Sequence, residues 1–106
     1  MIRVTIWNEN EQEHWAELAP QAPEESRAHM LEVAAEISKV HPNGIHNTLA
    51  GIFEGIEDIS VRTVTMDMPS NGLTDEVLND TDVLIWWGHV AHWKVDDAIA
   101  EKVQNR

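Results

Sequence analysis

The order of hydrophobic patterns along the chain predicts an α/β fold with a parallel sheet. Apolar or β-branched runs suited to strands occur at residues 2–7, 59–66 and 82–87. Apolar residues at helical spacing lie between and after them. Such alternation builds parallel sheets with helices on both faces. The chain has 106 residues, 42% hydrophobic and 25% charged, the composition of a single soluble globular domain.

The first run, IRVTIW, reads as a strand that stops at Asn8-Glu9-Asn10. Residues 9–25 hold six glutamates with Pro20 and Pro23, and read as a solvated loop with one helical turn near His14–Leu18. A helix is expected from about Pro23 to Val40. Pro23 suits a helix start, Glu24 and Glu25 suit the positive end of the dipole, and Met30, Val33, Ala34, Ile37 and Val40 form a core-facing stripe. His41-Pro42-Asn43-Gly44 ends it. Ile45, Leu49, Ile52, Phe53 and Ile56 predict a second helix ending near Gly55.

Residues 59–66, ISVRTVTM, read as a strand near the sheet edge, followed by a turn through Pro69 and Asn71-Gly72. Thr74 is placed to cap a short helix. Asp82–Trp87 is a continuous apolar run after one aspartate, which predicts a central strand covered on both faces. Gly88 breaks it, and Val95, Ala98, Ile99 and Val103 mark a last helix.

Composition narrows the function. Seven Lys and Arg against 19 Asp and Glu give a net charge of −12, with the cations scattered. Phosphate neutralisation needs clustered cations, so neither nucleic acid nor an anionic membrane surface is an expected partner. The absence of Cys excludes disulfides, Cys-ligated metals and a thiol nucleophile within this chain. With no long apolar run and no signal-peptide pattern, a cytoplasmic location is expected.

In open parallel sheets ligands bind beyond the carboxyl ends of the strands. Two segments qualify: Trp7-Asn8-Glu9-Asn10, and Trp86-Trp87-Gly88-His89-Val90-Ala91-His92. His46, in the first turn of the helix after Gly44, is placed to face the same crevice. His89 and His92, three apart, suit a shared divalent metal such as zinc, with His46 or Glu9 as a further ligand. Alternatively, one of them suits a general acid or base. They are also compatible with ordinary polar residues on a strand-end loop. His14, His29 and His41 read as surface residues. Trp86 and Trp87 point to opposite faces, one under each helical layer, although a Trp at the strand end also suits an apolar floor for a sugar ring. No Gly-rich phosphate loop and no G-x-S-x-G elbow is present.

At these loops the sequence resembles the ThuA-like family, named for trehalose utilisation. The matching stretches are VTIWNEN at 4–10, HPNGIHNTLAGI at 41–52 and GLTDEVLNDTDVLIWWGHVAHWKVDDAIAEKVQ at 72–104, about half of the chain. The WWGHVAH core is the most specific. The resemblance implies a flavodoxin-like three-layer sandwich related to class I glutamine amidotransferases, here as an incomplete three- to four-stranded part. It implies a role in the use of trehalose or related disaccharides, with a small carbohydrate as ligand. Carried over by position, it puts Asn8, His46, His89 and His92 in the site, His89 and His92 first as catalytic residues. Glu9, Trp87 and Gly88 complete the substrate-binding set.

Two departures stand out. Residues 12–38 form a loop and helix elaboration where the family passes more directly to the P-x-G-I-H segment. The family also continues into a further strand, leading to the position where amidotransferases hold a catalytic Cys. A glutaminase reaction is excluded for this chain. Three functions are therefore expected to compete: a sugar-processing enzyme or its N-terminal part, a non-catalytic metal- or carbohydrate-binding module, and an inactive α/β half that forms a homo-oligomer through its open sheet edge.

Overall fold

A computed structural model describes residues 1–106 and gives an α/β architecture. Strand β1 (Ile2–Asn8) pairs in parallel with β2 (Ile59–Thr65) on one side and β3 (Val83–Trp87) on the other, so the sheet order is β2-β1-β3. Asn8 stands level with Thr65 and with Trp87, which brings all three carboxyl ends to one rim. Helices α1 (Trp15–Leu18), α2 (Glu24–Val40) and α3 (Ile45–Gly51) separate β1 from β2. Helix α4 (Asp75–Asn79) separates β2 from β3, and α5 (Asp97–Asn105) follows β3. No helix is long and apolar enough to cross a membrane.

Alternation along β1 divides the core. Trp7 faces one layer, where it joins Val64, Leu73, Leu78, Val95 and Ile99 in a buried cluster. Its ring stacks on Trp86 of β3, centroids 3.9 Å apart and planes 21° from parallel. Offset stacking of this kind adds to the burial of both rings. The Trp7 Nε1–H donates to Asn71 O at 2.7 Å, so the indole enters the core without losing its hydrogen bond. Val4, Ile6 and Asn8 face the other layer, toward α3 and its buried Ile45.

Local chemistry shapes the connections. Thr74 Oγ1 accepts from Val77 N–H and caps α4. The turn after β2 places Ser70 and Asn71 at φ 56° and 55°, in the left-handed region that Asn tolerates. Arg3 Nε and Nη2 donate to the two oxygens of Asp82 at 3.0 and 2.9 Å, locking β3 beside β1. This fork holds the Asp82 carboxyl well below the usual range, chiefly by the Arg3 hydrogen bond.

Three expectations are corrected. The central strand is β1, not Asp82–Trp87. An apolar run reads alike whether a strand is covered on two faces or one, and strand order depends on distant pairings. Leu84 and Trp86 turn into the core, while Val83 and Trp87 are 46% and 42% exposed. The stripe on α2 does form its packed face, with Ala34 buried and Met30, Val33 and Ile37 half-buried, but Val40 is exposed and the face packs chiefly against residues 12–21 instead of the sheet. Helix α3 stops at Gly51, since glycines at 51 and 55 weaken helix propagation, and Ile52 and Ile56 beyond it are exposed.

The stacked pair yields a prediction. Trp7→Ala should destabilise the protein by about 3–5 kcal/mol, whereas Ile52→Ala should change stability by less than about 0.5 kcal/mol. Urea unfolding of both variants beside the parent measures the contrast.

Candidate functional site at the carboxyl ends of the strands

Three consecutive buried residues leave β1 with polar atoms that need partners. Trp7 and Asn8 are 0% exposed and Glu9 is 3% exposed. Each recruits a different segment of chain.

Asn8 organises the α3 side. Its Oδ1 accepts from Asn10 N–H at 3.0 Å, which fixes the orientation of the amide. Its Nδ2 then donates to Glu13 Oε2 and to His46 Nδ1, the latter at 3.0 Å. Glu13 Oε2 also accepts from Ile45 N–H at the start of α3, at 3.4 Å. His46 lies in the first turn of α3, over Gly44. Gly44 has φ +88°, and a Cβ there would strike the His46 ring. Glycine is thus required twice, by backbone and by space.

The protonation of His46 follows. Burial lowers its pKa, and nearby Glu13 and Asp67 oppose this without cancelling it, so the ring is neutral at pH 7. Since Nδ1 accepts from Asn8, the proton resides on Nε2. Asn47 Nδ2 lies 3.4 Å from Nε2, but it is itself a donor and bonds Asn43 O at 2.7 Å. His46 therefore presents an N–H donor that suits an incoming oxygen acceptor.

Glu9 organises the β3 side. Its Oε1 accepts from Val90 N–H at 2.8 Å and its Oε2 from Ala91 N–H at 3.0 Å. The Glu9 N–H donates to Trp87 O at 3.0 Å. Burial pushes the Glu9 pKa up, but the backbone N–H groups of Val90, His89 and Ala91, with the charge of His92, outweigh it and the net displacement is downward. The carboxylate thus holds residues 89–91 as a clasp. His92 folds back over Gly88, where any Cβ would overlap its ring, and its Nδ1 accepts from Trp86 Nε1 at 3.5 Å.

The residues expected from the sequence are thus placed as follows. Asn8 and His46 are in direct contact. Trp87 and Gly88 stand at the rim beside Asn8 and Glu9, and Trp87 is 42% exposed. His89 and His92 are exposed on the clasped loop. Glu9 is 3% exposed and accepts from the loop with both oxygens, so in this structure it holds the loop and does not face solvent. No group of three or more His, Asp or Glu side chains converges in a metal-binding arrangement. A divalent ion on His46, His89 and His92 would require those side chains to move together.

Three residues lay outside the expected site, and Asn10 entered it only as part of the Trp7–Asn10 segment. Glu13, Asn10, His14 and Asp67 extend the network: Asn10 Nδ2 meets His14 Nε2 at 3.0 Å, and His14 Nε2 lies 3.9 Å from Asp67 Oδ2. His14 stays at the surface, with its side chain 40% exposed. The acidic run looked uniformly solvated, and nothing in it set Glu13 apart from Glu11 or Glu17. Asn10 did carry a signal: it follows the strand end and sits at φ 57°, a conformation Asn favours.

Comparison with models of known protein families returns no match, and comparison with curated proteins returns none either.

Glu9→Gln should destabilise the fold by about 1–3 kcal/mol at pH 7, because an amide nitrogen replaces one acceptor facing the loop N–H groups. Since the folded pKa lies below the ordinary value of 4.5, the carboxylate's contribution is complete above that pH. It is lost as pH falls through the lower folded value. Urea unfolding of parent and variant across the acid range should show their difference shrinking in that window.

Proposed function

We propose that this chain binds a small neutral carbohydrate, of the trehalose or related disaccharide type, at the carboxyl ends of β1 and β3, in a sugar-processing role. The observation that carries the reading is the Asn8–His46 pair. A buried amide of fixed orientation holds a neutral imidazole whose Nε2–H is left to donate, as a sugar hydroxyl or ring oxygen would accept. The exposed face of Trp87 offers an apolar floor at the same rim, and indole faces suit the apolar side of a sugar ring. The surrounding Glu9, Glu11, Glu13 and Asp67 favour a neutral ligand over an anion.

The resemblance to ThuA-like proteins points the same way, through VTIWNEN, HPNGIH and WWGHVAH. In this reading Asn8 and Glu9 are positioning residues, and His46 meets the ligand. His89 and His92 stand on the loop where proton transfer would be carried out.

Titration of labelled protein with millimolar trehalose, followed by amide NMR, tests the proposal. Saturable shifts are expected at residues 8–10, 46 and 87–92. His46→Gln should weaken binding roughly tenfold, the loss of one well-placed hydrogen bond. Absence of shifts at these positions overturns the reading. Saturable shifts without product formation assign a binding module instead of an enzyme.

A further inference from the structure

We infer that Glu13 is a positioning residue for His46: acting through Asn8, it decides that the site offers its ligand an N–H donor at Nε2. The inference deepens the function proposed above and rests on that reading for the identity of the ligand. Two neighbours pull the His46 ring toward opposite tautomers. Asn8 Nδ2, 3.0 Å from Nδ1, requires Nδ1 to accept, which leaves the proton on Nε2. Asn47 Nδ2, 3.4 Å from Nε2, favours the reverse form, in which Nε2 accepts and Nδ1 carries the proton. A neutral imidazole has one donor and one acceptor, so it cannot satisfy both amide nitrogens.

Turning the Asn8 amide over would end this competition. Its Oδ1 would then accept from Nδ1–H, and Nε2 would be left to accept from Asn47. The outcome therefore depends on what holds the Asn8 amide. One anchor is Asn10 N–H, which donates to Asn8 Oδ1 at 3.0 Å. The other is Glu13 Oε2, which accepts from Asn8 Nδ2. An ionised carboxylate only accepts, so a turned amide would set Oδ1 against a charged oxygen. A charge-assisted hydrogen bond of this kind is roughly twice as strong as a neutral one, which makes Glu13 the stronger anchor.

Glu13 is itself well placed for this task. Its Oε2 also accepts from Ile45 N–H at 3.4 Å, so one oxygen ties the amide of Asn8 to the residue beside His46. Glu13 lies in the turn Gln12–His14, against which α2 packs. The loop and helix at residues 12–38 thus supply the group that sets the polarity of the site. With Glu13 in place, His46 selects an acceptor oxygen on the ligand. With the amide turned, Nε2 would become an acceptor and that selection would be lost.

Nitrogen–proton NMR of the His46 ring at about pH 8, where histidine is neutral, tests the inference without a ligand. Protonated and bare ring nitrogens resonate far apart, so the spectrum reports the tautomer. The parent should show the Nε2–H form. Glu13→Leu removes the acceptor and should convert His46 to the Nδ1–H form. Glu13→Lys puts a donor in its place, reaches solvent from this half-buried position, and gives the same test if the Leu variant fails to fold. Glu13→Gln should keep the parent form, because Ile45 N–H turns the glutamine carbonyl toward Asn8. Trehalose binding should weaken about tenfold in the Leu and Lys variants and be restored in Gln. A parent in the Nδ1–H form overturns the inference, as do Leu and Lys variants that keep Nε2–H or that change tautomer with trehalose binding intact. If the tautomers change as expected and the parent binds no trehalose, the positioning role stands and the carbohydrate reading falls.

Discussion

Three polar groups at the buried end of β1 govern the arrangement of the rest. The Trp7 indole, the Asn8 amide and the Glu9 carboxylate stand on successive residues in the most enclosed part of the molecule. A buried donor or acceptor left unpaired costs on the order of 1–3 kcal/mol. Each therefore draws a loop to itself: Trp7 the turn at Asn71, Asn8 the segments bearing Glu13 and His46, Glu9 the amides of residues 90 and 91. No buried side-chain nitrogen or oxygen is left without a partner. One strand end thus fixes three otherwise separate loops, and the rim they form is where chemistry can be placed.

The same residues link the two layers. Asn71 accepts from Trp7 through its backbone and from Asp96 N–H through its side chain, at 3.1 Å. The indole in the core is thereby joined to the start of α5. Lys94 reaches Glu11, tying the segment after the clasped loop to the one after β1. On the other layer, Glu13 joins Asn8 to the start of α3. The site is built from contacts that also hold the fold, so substitutions there affect stability and chemistry together.

Much of this was legible in the sequence because local rules govern it. Strand periodicity located β1 and β2, Thr74 announced its cap, and Asn71-Gly72 announced its turn. The strand-end rule pointed to the segment holding Asn8, and the helix start after Gly44 pointed to His46. Strand order was not legible in the same way. VLIWW carries no mark that separates a central strand from an edge strand with one covered face. The partners of Glu9 were not legible because they are main-chain amides, which every residue possesses. Glu13 was hidden among chemically identical neighbours, and only its distance in space from Asn8 distinguishes it.

The position of β1 in the sheet bears on how the chain acquires its fold. The central strand precedes both of its neighbours in chain order: Ile2 pairs with Ile59, and Val4 with Val83. During synthesis β1 emerges with two open edges and waits for more than fifty residues before either is closed. Helix α2 has its hydrogen bonds within itself and is free to form in that interval. The sheet is not, since loop closure over such separations is slow to be rewarded. Until β2 and β3 arrive, the VTIW segment is an unpaired apolar template, and this delay is when the chain is most open to pairing with the wrong strand.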